Sequence, residues 1–181
     1  MDDARWEYRI WPEDTEPYAS RISARAGSQP AAEARTDTYL LTADENLLAK
    51  IRGGERFEIK ELLETRRGCE RWMLAVSTPF PVGARHLEQL LGDARDMPTA
   101  KALIEAAQET LQIVSVRKDR LLFSIGTTRA EITRVSLSGR SAISVALEAP
   151  DADSCARFAE ELGLAESENI DYGSMLRAVF R

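Results

Sequence analysis

Histidine and cysteine are almost missing from this chain: His86, Cys69 and Cys155 are all it has among 181 residues. The cysteines lack CxxC spacing and read as two ordinary reduced thiols used for packing. His86 falls in a helical stretch and reads as non-catalytic. No apolar run approaches the ~20 residues that a membrane-spanning helix needs. The Gly53-Gly54 pair is followed by no helix bearing Lys-Ser/Thr, so it is a turn and not a phosphate loop. Basic residues are outnumbered, 24 against 30, and the net charge of −6 argues against general attraction to nucleic acid or anionic membrane. The opening Met1-Asp2-Asp3 carries no targeting signal, which predicts a cytoplasmic protein.

What remains is a globular composition, 44% hydrophobic and 30% charged, of a length suited to one domain over 1–181. Residues 4–11 (ARWEYRIW) alternate strictly between charged and apolar and predict a strand that Pro12 stops. A polar stretch follows over 13–35, with a short helix near 18–26. Strands are predicted at 36–42, Leu47–Arg52, 56–62 and 70–77, with Gly53-Gly54 closing a hairpin. Helical spacing takes over at 84–91 and at 98–111, where Pro98 suits a first helical position. Strands return at Gln112–Ile125, 129–137 and 142–148. A helix over 153–162 ends at Gly163, and a last short helix spans 172–180. The fold class is therefore α+β: about eight strands joined by hairpin-length connections give a mainly antiparallel sheet, flanked by helices. Eight strands can close into a barrel wide enough for side chains or one small ligand.

Several strands place charges at i and i+2, and so on one face. Arg5, Glu7 and Arg9 form one row; Lys50 and Arg52, Glu58 and Lys60, and Lys118 and Arg120 form others, with Glu131 and Glu148 on two further strands. Any single row is what a solvated sheet face looks like. If all of them instead share the inside of a barrel, seven basic residues there face four acidic ones. Such a cluster suits a polyphosphate, which Arg forks grip in bidentate fashion. The interspersed carboxylates suit Mg2+ or Mn2+, hard cations that bind carboxylate and phosphate oxygens together. Trp6, Trp11 and Trp72 alternate with charges and are expected to pack outward against helices.

The order of these motifs resembles the CYTH superfamily, the triphosphate tunnel metalloenzymes, over nearly the whole chain. That family opens on a Glu-x-Glu-x-Lys strand, and Arg5-Trp6-Glu7-Tyr8-Arg9 stands in its place. Asp37-Thr38-Tyr39, Lys50-Ile51-Arg52, Lys60, Lys118-Asp119-Arg120, Glu131 and Glu148 follow in the family's order, and Asn169, Tyr172 and Leu176 resemble its closing segment. The resemblance implies an eight-stranded tunnel, Mg2+ or Mn2+, and chemistry on triphosphates or nucleotides. It implies phosphate binding by Arg9, Lys50, Arg52, Lys60, Lys118 and Arg120, metal binding by Glu7, Glu131 and Glu148, and catalysis by Glu7 and Glu148. Activities in the family include tripolyphosphatase, thiamine triphosphatase, RNA triphosphatase and adenylyl cyclase. This sequence departs from the pattern in two carboxylates, with Arg5 replacing the first and Ala146 leaving only Glu148 in the late strand. The expected ligand is a small polyphosphate or nucleotide, hydrolysed with metal or merely bound. A scaffold whose salt bridges have replaced the ligand is the remaining reading. A homodimer is left open.

Overall fold

The computed structural model describes residues 4–92 and 95–179. Met1–Asp3 and Phe180, the last residue of the expected final helix, lie outside them. Eight strands close into an antiparallel barrel: β1 (Arg5–Ile10), β2 (Ala31–Leu41), β3 (Leu47–Arg52), β4 (Arg56–Arg66), β5 (Cys69–Pro79), β6 (Gln112–Ile125), β7 (Thr128–Leu137) and β8 (Arg140–Ala149). Around the wall the order is β1-β5-β4-β3-β2-β6-β7-β8, and β8 returns to β1 with Glu7 opposite Glu148 and Arg9 opposite Ala146. Five helices flank it: α1 (Glu16–Arg25), α2 (Glu88–Leu91), α3 (Ala100–Ala107), α4 (Ala152–Leu162) and α5 (Tyr172–Val179). No described helix is long and apolar enough to cross a membrane.

The barrel carries its main apolar layers on the outside. Trp6, Tyr8, Ile10, Val145 and Leu147 face outward and pack with Ile22 of α1 and with Cys155, Ala159 and Leu162 of α4. On another side Leu40, Ala49, Ile51, Phe57 and Ile59 are covered by Leu90 of α2 and by Leu103 and Ala107 of α3. Period-2 alternation then turns the charged partners of these residues inward. A third apolar cluster lies within the barrel, where Tyr39, Leu48, Trp72, Val114, Val116, Val135 and Leu137 meet Tyr172 and Leu176 of α5. One part of the interior is thus apolar and sealed by α5.

Local chemistry sets the helix ends. The Thr99 side chain accepts from Ala102 N at 3.2 Å, so α3 starts at Ala100 with Thr99 as its cap, two residues beyond Pro98. Asp151 caps α4 by accepting from Ser154 N at 2.7 Å. Gly163 ends α4 at φ 81°, where an added Cβ would lie 1.9 Å from Arg21 Nη1. The expected 84–91 helix is two short turns, a 3-10 turn at Ala84–His86 and then α2. β2 begins at Ala31, five residues earlier than the pattern predicted. The alanines at 31, 32 and 34 gave its alternation too little contrast.

Candidate functional site: a charged tunnel

Every residue singled out as phosphate- or metal-binding lines one cavity of about 530 Å3 inside the barrel. Arg9 and Glu7 come from β1, Lys50 and Arg52 from β3, Lys60 from β4, Lys118 and Arg120 from β6, Glu131 from β7 and Glu148 from β8. The rows of charge therefore face inward. Trp72 does too, contrary to the outward packing expected of it, and Trp11 lies edge-on to Tyr172 at 5.0 Å; Trp6 alone packs outward against α4. Nine of the lining side chains are basic and seven acidic, a closer balance than the sequence rows suggested.

Most of these cations are already paired with carboxylates. Lys60 contacts Glu7, Lys50 lies 3.3 Å from Glu58, and Arg52 reaches Glu58 at 3.5 Å and Glu33 at 3.9 Å. Arg120 donates to Glu33 at 2.9 Å and also to Glu131, whose other oxygen takes Arg9 at 3.3 Å and the Thr133 hydroxyl at 2.7 Å. Arg9 and Glu131 stand on either side of Ala146 in the β1-β8-β7 register. The small side chain between them lets the guanidinium span β8, where a carboxylate would have intervened. The alanine at 146 and the presence of this ion pair are one feature of the wall.

Deeper still, Lys118 is 3% exposed and donates to Asp37 at 2.9 Å and to the Tyr39 hydroxyl at 2.7 Å. Its ammonium also lies 3.9 Å from the centre of the Tyr172 ring. Burial, with Lys50 nearby, drives the Lys118 amine well below its usual range. Asp37 is fully buried; burial would raise its carboxyl, but Lys118, Lys50 and Arg35 outweigh that and hold it down at about 2. Glu131 is held lower still by Arg9 and Arg120 against its own burial. Glu70 is the exception: burial pushes it up to about 7, although its carboxylate accepts from Trp72 Nε1 at 3.0 Å.

Glu33, Arg35, Asp37, Tyr39, Glu70 and Tyr172 also line or flank this site but were absent from the predicted set. For Glu33 and Arg35 a signal existed, since they continue the i, i+2 row of Asp37 and Tyr39 back along β2. Nothing local marks Glu70 as inward. Of the three carboxylates assigned to a metal, Glu131 is tied to Arg9 and Arg120, Glu7 is tied to Lys60, and the Glu148 side chain makes no ion pair or hydrogen bond among the described residues. No group of three acidic, His or Cys side chains able to hold a metal is found among those residues. Hard divalent cations need several oxygens around one point. The side chains as arranged do not fit a resident metal ion.

No family model matches the chain, and no curated protein matches it. Solved structures do. A protein from Pyrococcus horikoshii OT3 superposes with a TM-score of 0.56 at 15% identity, covering 88% of this chain and 90% of its own. A candidate adenylate cyclase from Bacillus halodurans gives 0.56 at 11% identity over 97% of this chain and 96% of that one. A candidate adenylyl cyclase from Hippeastrum, described as having a dominant triphosphatase activity, gives 0.55 at 9% identity over 88% of both. The chain has the CYTH-type tunnel fold. At these identities the likeness is one of architecture: a closed barrel of the same kind, with a divergent sequence on it.

Proposed function

We propose that this chain acts as one CYTH-like domain that binds a small triphosphate-bearing or similarly polyanionic molecule in its tunnel. One observation carries the reading: six of the nine basic side chains that line a single cavity of about 530 Å3 converge on it from four strands, in a protein of net charge −6. That volume suits one small ligand. Arg9, Lys50, Arg52, Lys60, Lys118 and Arg120 are the proposed phosphate-binding set. Within it Arg52 and Lys60 are the freest, with side chains 45% and 25% exposed. Entry of a polyanion would exchange their internal carboxylates for phosphate oxygens, which Arg can hold in bidentate fashion. Because Glu7 and Glu131, two of the three carboxylates expected to hold a metal, are committed to cations, this reading assigns binding without a divalent metal held by the protein.

Hydrolysis with Mg2+ or Mn2+ is the second reading, favoured by Glu148, which keeps its carboxylate unpaired directly opposite Glu7. Calorimetry with tripolyphosphate, ATP and thiamine triphosphate in chelator, alongside phosphate release in Mg2+ or Mn2+, tests both. Binding in chelator, weakened about tenfold or more in Lys60→Ala, is expected from the loss of a charged hydrogen bond. Turnover abolished by Glu148→Ala would establish the second reading instead. Neither binding nor turnover leaves a scaffold closed by its own salt bridges.

A further inference from the structure

The Tyr172 hydroxyl is buried and has no hydrogen-bond partner among the described residues. Buried phenol hydroxyls in native proteins are normally paired. Tyr172 lines the tunnel, and its ring is flanked by charge: Arg9 Cζ lies 4.5 Å and Lys118 Nζ 3.9 Å from its centre, with Tyr39 stacked at 5.6 Å. Nearby protein acceptors are already used, Asp37 by Lys118 and Arg35, Glu131 by Arg9, Arg120 and Thr133. Arg5 Nε, in a residue lining the same cavity, is a second buried donor without a partner among the described residues. The interior thus offers spare donors beside positive charge, the complement of an oxygen-rich anion.

The hydroxyl is also rigidly presented. Tyr172 opens α5, where Asp171 Oδ1 accepts from Gly173 N at 2.6 Å and from Ser174 N at 3.2 Å. Gly173 presses so closely on β3 that an added Cβ would meet Leu48 Cδ1 at 3.1 Å. Leu176 is fully buried, and Arg177 reaches Thr42 O at 3.3 Å, tying the helix to the β2–β3 turn. Burial raises the phenol well above its ordinary range, so at neutral pH it keeps a proton to donate. A donor held in place before the ligand arrives loses little ordering free energy on binding.

We infer that Tyr172 is a ligand-binding residue whose hydroxyl donates to the innermost oxygen of the polyanion, so that α5 forms part of the site as well as sealing the barrel. This rests on the tunnel binding a polyanion, as proposed above. The test is Tyr172→Phe, with tripolyphosphate as the probe in calorimetry and thermal unfolding of the ligand-free protein measured in parallel. The hydroxyl makes no bond in the ligand-free protein, so its removal should leave the melting temperature unchanged or raised. Affinity for tripolyphosphate should fall about tenfold, the loss of one hydrogen bond to a charged acceptor. Unchanged affinity, with Lys60→Ala still weakening binding, would overturn the role of Tyr172 and leave tunnel binding intact. A lowered melting temperature without ligand would also overturn it, by revealing a structural partner. Failure of the wild-type protein to bind the probe would overturn both.

Discussion

Asp37 and Lys118 illustrate what an internal charge costs and why it persists. Both are almost fully buried, so each loses its hydration and relies on the other. Asp37→Asn should destabilise the protein by about 3–5 kcal/mol, because it removes the carboxylate that offsets the burial of Lys118. The double variant Asp37→Leu with Lys118→Met should recover most of that loss in denaturant unfolding. A double variant as unstable as the single one would show that the pair is not the source. Glu70 acts in the opposite sense. Its ordinary value lies near 4.5 and its folded value near 7, so between those pH values the folded state holds a proton that the unfolded chain has released. Stability contributed by Glu70 therefore falls as pH rises through that window. Glu7 and Asp171 face it with like charge, and Arg9 opposes them. Glu70→Gln should be more stable than wild type at pH 8 and should flatten the decline between pH 5 and 7. Superimposable stability profiles for the two proteins would count against this.

Strands such as β1 and β3 serve two layers at once, with Tyr8, Ile10, Ala49 and Ile51 in the outer shell and Glu7, Arg9, Lys50 and Arg52 in the tunnel. The two functions should separate under mutation. Leu103 of α3 is fully buried against the outer face of the barrel and touches nothing in the cavity. Leu103→Ala should cost about 2–5 kcal/mol in unfolding free energy. Tripolyphosphate affinity, measured where the variant is still folded, should stay the same. A parallel loss of affinity would mean that the helical shell sets the tunnel geometry. The elements were legible in the sequence to different degrees. β1, β3, β6, β7 and β8 announced themselves by alternation and by Gly turns, and α4 by its apolar stripe and terminal glycine. β2 was read short because alanine gives a weak alternating signal. α3 was read two residues early because Pro98 is compatible with a first helical position, while the Thr99 cap bond that decides the start is a three-dimensional contact.

Across the whole molecule, the arrangement is a barrel turned partly inside out, with apolar shells on the exterior and paired charge within. The sequence by itself determined which side chains share a face, since a period of two leaves each strand no choice. Only the tertiary structure decided that the shared face is the inner one, because closure depends on β8 meeting β1 across more than a hundred residues of chain. It likewise decided the partners. Arg9 and Glu131 are separated by 122 positions, and Lys118 and Asp37 by 81, so no local pattern encodes their pairing. Whether a carboxylate stays free for a metal or is neutralised by a cation depends on what closure places beside it. For Arg9, that is Glu131 across the gap left by Ala146.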